Sequence, residues 1–144
     1  MPLSPTHLTK TFCIHGQIQH ADLAVAKSLG ITLIVNNRPD GEEPGQPLSD
    51  ELAAAANEIG ISFVTIPVGQ KNITDDDLER LREAVSQTDG LTLAYCKSGF
   101  RSAILRAFAM AQSGYSIDAL INEAATANID LSGYRANLEQ IAAT

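Results

Sequence analysis

The sequence predicts an α/β fold in which a central, mostly parallel sheet is flanked by helices. Three observations carry that expectation. Short apolar runs recur at residues 12–14, 31–35, 61–68 and 91–95, each too short for a typical helix and suited to a pleated strand. Between them lie segments of helical spacing, and this alternation calls for crossover connections that place helices on both faces of a parallel sheet. The length, 144 residues, fits one domain over residues 1–144 and suffices to bury roughly 68–70% of the unfolded surface without disulfides or a structural metal.

Taken in order, residues 12–14 form a short strand that ends in a turn at Gly16-Gln17, where glycine frees the backbone. A helix over residues 21–29 stops at Gly30, and residues 31–35 (ITLIV) read as a buried strand. The segment 36–48 is the longest loop, with three prolines, two glycines and the acids Asp40, Glu42 and Glu43. Its length alone suggests a functional role. Ser49 is the expected N-cap of a helix that runs to Gly60, and residues 61–68 make the next strand.

Thr74 and Asp77 have the spacing of a capping box, and Asp75 and Asp76 sit where a helix dipole favours negative charge. The helix over 75–87 presents Leu78, Leu81 and Val85 as a core stripe. Residues 91–95 (LTLAY) are apolar on both faces and are expected as an inner strand. Three helices close the chain, over residues 102–112, 116–127 and 131–143.

Charge narrows the function. Seventeen acidic residues against ten Lys and Arg give a net charge of -7, a surface that repels phosphate backbones and anionic lipid heads, so neither nucleic acid nor membrane is an expected partner. No apolar run approaches a spanning helix and the opening segment lacks the pattern of a secretion signal, which points to the cytoplasm. In a reducing compartment Cys13 and Cys96 are two free thiols, and no Cys or His spacing suggests zinc. Neither a metal nor a cofactor is expected.

The chemistry concentrates in residues 96–102, Cys-Lys-Ser-Gly-Phe-Arg-Ser, between a buried strand and a helix. Ligands of α/β sheets bind beyond the carboxyl ends of the strands. A strand-loop-helix turn containing Gly99 can aim the backbone N–H groups of Lys97, Ser98, Gly99 and Phe100 at one point, and the helix start adds positive dipole. Arg101 supplies a planar fork of donors for phosphate, sulfate or a sulfur oxyanion, and Ser102 can bond the sulfur or cap the helix. The groups that hold an anion also stabilise a thiolate, which makes Cys96 the candidate nucleophile. Lys97, Arg101 and Arg106 concentrate positive charge in an acidic chain, as a small anionic substrate requires. Cys13, with no such neighbourhood, reads as an inert strand residue.

Gly16-Gln17, the run Asn-Asn-Arg-Pro-Asp-Gly-Glu-Glu-Pro-Gly-Gln over 36–46, Ile66-Pro67-Val68 and the Cys96 loop together resemble the phosphatase-like domain of the beta-lactamase-hydrolase-like family, which has the dual-specificity, cysteine-phosphatase fold. The resemblance implies a nucleophilic Cys96, an anion clamp at Arg101 and support of the thiolate by Ser102. Three features depart from such phosphatases. Cys96 and Arg101 are separated by four residues rather than five, as in the active loop of a rhodanese sulfurtransferase. Tyr95 stands where those phosphatases carry His. The segment 66–72 (IPVGQKN) lacks the carboxylate expected to act as general acid, for which Asp40, Glu42 or Glu43 could substitute.

The expected function is a cysteine-thiolate phosphatase-like hydrolase working through a phosphocysteine. A sulfurtransferase carrying a Cys96 persulfide and a silent anion-binding module are the alternatives. Arg38, just beyond the strand 31–35, is either a second anion contact or the partner of Asp40 or Glu42 in the loop.

Overall fold

A computed structural model describes residues 3–69 and 71–143. Met1, Pro2 and Thr144, and Gln70 of the segment lacking a general acid, lie outside them.

The strands are β1 (Thr6–His7), β2 (Phe12–His15), β3 (Ile31–Asn36), β4 (Ser62–Thr65) and β5 (Leu91–Tyr95). They form one sheet in the order β1-β2-β5-β3-β4. β5 is the inner strand, parallel to both β2 and β3, and only β1 runs antiparallel, at the edge beside β2. β1 was not expected, since two exposed polar residues carry no hydrophobic period.

The helices are α1 (Asp22–Ser28), α2 (Ser49–Glu58), α3 (Asp75–Ser86), α4 (Phe100–Gln112), α5 (Ile117–Thr126) and α6 (Arg135–Ala142). One core, including Leu23, Ala26, Ile34, Leu52, Ala56 and Leu93, packs α1 and α2 on one face of the sheet. The other, including Val35, Leu78, Leu81, Ala94, Ile104 and Leu138, packs α3, α4, α5 and α6 on the opposite face. Alternating inward residues of β3 and β5 serve both cores, which is why these strands read as unbroken apolar runs.

The capping box is present in full: the Asp77 N–H donates to Thr74 Oγ1 at 3.2 Å and the Thr74 N–H donates to Asp77 Oδ2 at 3.0 Å. Other boundaries differ from expectation for identifiable reasons. β4 stops at Thr65, although Ile66 and Val68 still donate to the carbonyls of Asn36 and Asn37, and Pro67 between them lies on an edge strand, where a missing N–H is tolerated. The final helix starts later, behind a 3-10 turn at Ser132–Tyr134. Ser49 is not the N-cap; it is the first helical residue of α2, after Leu48. Its N–H and Oγ donate to Asp40 Oδ1 and Oδ2, each at 3.0 Å, so a carboxylate nine positions earlier does the capping.

Candidate active site

β5 ends at Tyr95 and α4 begins at Phe100, and the four residues between them turn the chain at the carboxyl edge of the sheet. Gly99 makes the turn with φ of +96°, a left-handed conformation that costs a residue with a side chain. This moves the helix start two residues ahead of the expected Ser102. It also directs the Gly99 N–H onto Cys96 Sγ at 3.0 Å. The first turn of any helix leaves N–H groups without intrahelical partners, and here those of α4 follow the same loop. Gly16, at the end of β2, lies against it from behind. A Cβ there would stand 2.9 Å from the Lys97 carbonyl oxygen, so the loop closes down on bare backbone.

Cys96 is 1% exposed, sheltered from bulk water. Arg101, on the first turn of α4, is held protonated chiefly by its hydrogen bonds to Glu42 and also by the Cys96 sulfur beside it. Its Nη1 donates to Glu42 Oε2 at 2.9 Å and to the Val68 carbonyl at 3.1 Å, and its Nη2 donates to Glu42 Oε1 at 2.8 Å. The fork-to-fork pair fixes the guanidinium plane against the loop.

The long loop 37–48 therefore reaches the Cys96 loop, through Glu42 and Glu43. Arg38 is buried. Its Nε donates to Glu42 Oε1 at 2.8 Å and its Nη1 donates to Gln17 Oε1 at 3.0 Å, which makes it a partner of Glu42 rather than of Asp40. Glu43 Oε1 bridges Lys97 Nζ at 2.8 Å and Arg38 Nη2 at 3.1 Å. The hydrogen bonds from Arg101 hold the Glu42 carboxyl at about 2, with Arg38 adding to them against the opposing effect of burial. Lys97 likewise holds Glu43 below the ordinary carboxylate range. A carboxyl that stays ionised to such acidity keeps no proton at neutral pH to give a leaving group. Asp40 is turned away to Ser49, whose N–H and Oγ it accepts.

Ser102 is buried and its Oγ donates to Asn37 Oδ1 at 2.8 Å, so the hydroxyl that was expected at the sulfur supports the loop instead. Asn37 was not among the expected site residues. Its Nδ2 donates to the Ile66 carbonyl at 2.9 Å and its N–H to the Tyr95 carbonyl at 2.8 Å, tying the ends of β3 and β5 to α4. Two adjacent asparagines directly after an apolar strand were the available signal. Ser98 Oγ accepts the Phe100 N–H at 3.5 Å, and the Phe100 ring packs on Tyr134. Arg106, counted with the basic cluster, does not join the site: it lies over the Phe12 ring and pairs with Glu123.

Tyr95 is buried, its phenol pushed up by that burial, and its hydroxyl has no partner in hydrogen-bond geometry among the described residues. Cys13 donates to the Thr92 carbonyl and is pushed up to about 12 by desolvation, so it remains a thiol. Among the described residues no cluster of His, Cys, Asp and Glu could hold a metal, and no helix is long and apolar enough to cross a membrane.

One sheet with four parallel strands between two layers of helices, and a cysteine between the inner strand and an arginine-bearing helix, defines a protein of the cysteine-phosphatase fold. Kinase associated phosphatase, solved with its catalytic-site cysteine changed to serine, shares the fold with a TM-score of 0.72 at 16% identity, covering 100% of this chain and 98% of that one. Residues 6–115 match the family model of the beta-lactamase hydrolase-like protein, phosphatase-like domain, and the chain belongs to that family. A beta-lactamase hydrolase-like protein of Xylella fastidiosa is 36% identical over 100 residues, which are 69% of this chain and 23% of the relative. The chain thus spans about a quarter of the length of that relative. A protein of Neisseria meningitidis, solved as a candidate phosphatase, is 31% identical with a TM-score of 0.82, covering 94% of this chain and 96% of that one.

Proposed function

We propose that this domain is a phosphatase-like hydrolase with Cys96 as its nucleophile. The observation that carries the proposal is the Gly99 N–H on Cys96 Sγ at 3.0 Å, at the start of α4 and with the Arg101 guanidinium alongside. In the first step the thiolate attacks phosphorus, an S–P bond forms, and the bond to the leaving oxygen breaks. Loop N–H groups and Arg101 take up the negative charge that grows on the equatorial oxygens. In the second step water attacks phosphorus, releases inorganic phosphate with loss of a proton, and restores the thiolate.

Glu42 and Glu43 are held ionised by their basic partners and Asp40 is bonded by Ser49, so the reading has no general acid from this loop, a help worth ~10² to 10⁴-fold. The preferred substrates are accordingly phosphates whose leaving group departs as a stable anion, such as a phenolate or carboxylate. Turnover of an aryl phosphate by the parent, with loss in Cys96→Ser, tests the proposal. Preference for a more acidic phenol should be steep, and an equal rate on an alkyl phosphate would contradict it.

A second reading, sulfur carriage as a Cys96 persulfide, is favoured by the four-residue spacing between Cys96 and Arg101 and by the lack of an available acid. It draws no support from the family, whose model is phosphatase-like. A persulfide mass increment on Cys96 after incubation with a small persulfide, together with no phosphate release, would favour it.

A further inference from the structure

Beside the Cys96 loop lies a trough of about 310 Å³ bordered by Gln17, Arg38, Glu43, Pro44, Pro47 and Lys97. It shares Lys97 with the loop, and Arg38 reaches the loop's Arg101 through Glu42. Two prolines stiffen one wall. The Arg38 guanidinium, 3% exposed, forms the base. Its Nη2 has no partner in good hydrogen-bond geometry among the described residues, although Glu43 Oε1 sits 3.1 Å from it as an ion pair.

We propose that this trough is a second anion subsite, so that the substrate is a small molecule carrying, besides the group that reaches Cys96, another carboxylate or phosphate. The inference rests on the anion-binding role of the Cys96 loop argued above. The Glu43 carboxylate already shows that an anion of this size fits between Lys97 Nζ and Arg38 Nη2. Its hold is the weaker one: Glu43 is 49% exposed and bridges two single contacts, whereas Glu42 is gripped by both arginines. A ligand anion can therefore replace Glu43, which returns to water, and can supply the in-line acceptor that Arg38 Nη2 lacks.

Local charge agrees. Arg38, Lys97 and Arg101 face Glu42 and Glu43, and displacing Glu43 leaves an excess of positive charge for the incoming group. The volume of this open trough suits a small ligand, and the net charge of -7 of the chain works against a polyanionic macromolecule.

The test reads protection of Cys96 from iodoacetamide by mass spectrometry. Methylphosphonate serves as the single-anion probe, and phosphonates bearing a second phosphonate or a carboxylate on spacers of increasing length serve as double-anion probes. In the parent, one spacer length should protect at about tenfold lower concentration than methylphosphonate, the size of one added charge-assisted contact. That advantage should vanish in Lys97→Gln and grow in Glu43→Gln. Both residues are exposed, so these variants avoid the folding risk of replacing buried Arg38. Equal protection by single and double anions at every length, or an advantage that survives Lys97→Gln, overturns the second subsite and leaves the Cys96 loop reading intact. Protection by none of the probes removes that reading, and the subsite with it.

Discussion

Glu42→Gln removes a negative charge and leaves one carbonyl acceptor where two carboxylate oxygens hold Arg38 and Arg101. The Arg101 bonds first, and then those of Arg38, keep the carboxyl at about 2 against an ordinary 4.5. Linkage makes a depression of that size worth ~3 kcal/mol, and solvent screening of a side chain that is 30% exposed reduces it to ~1.5 kcal/mol. The variant also deprives buried Arg38 of its nearest counter-charge, for which a complete loss of partner sets an upper bound of ~3–5 kcal/mol. Glu43 remains close enough to offset part of this. The expected loss at pH 7 is ~1.5–3 kcal/mol, or roughly 5–10 °C in Tm for a chain of this length.

The pH dependence has a defined sign. A carboxyl whose folded value is depressed contributes its full stability above the unfolded value of 4.5 and loses it as pH falls through the folded value. The advantage of the parent over Glu42→Gln should hold steady from pH 7 to about 5.5, then shrink, with more than half of the ionic part gone by about pH 3. Urea unfolding of both proteins at several pH values measures the difference directly. Equal stabilities at pH 7, or an advantage that does not change between pH 5.5 and 3, would refute the ionic account of this loop.

Gly16→Ala should push the Lys97 carbonyl away and misplace the loop, costing at least about tenfold in kcat/KM on an aryl phosphate; unaltered kinetics would show that the contact is loose. Iodoacetamide should label Cys96 far faster than Cys13 in the native protein at pH 7.5, because desolvation pushes Cys13 up to about 12, and phosphate should slow only the Cys96 reaction. Comparable rates at both cysteines would count against the site. Tyr95→Phe deletes a buried hydroxyl without a hydrogen-bond partner and should leave stability unchanged or raise it by ~1 kcal/mol. A clear fall in the urea midpoint would instead mean that the hydroxyl is bonded, with nearby Gln17 the first partner to examine.

Much of this domain is determined by residues close together in sequence. The inner position of β5 follows from LTLAY being apolar on both faces, and the start of α3 follows from Thr74 and Asp77, whose bonds span only three residues. The Cys96 loop is local as well: strand, Gly99 turn and helix start occupy one short segment, so its strand-turn-helix geometry could be read from residue types alone. What the tertiary structure decided is the use to which the remaining polar groups are put. Ser102 turned from the sulfur to Asn37, which is brought there by the pairing of β3 with β5. Asp40 became the cap of α2, and Glu42 became the partner of Arg101 across 59 positions. Each of these groups is short of bonding when partly buried and takes whichever partner the packed chain brings within about 3 Å. That choice depends on how the 37–48 loop folds back over the sheet, a contact that no local period encodes.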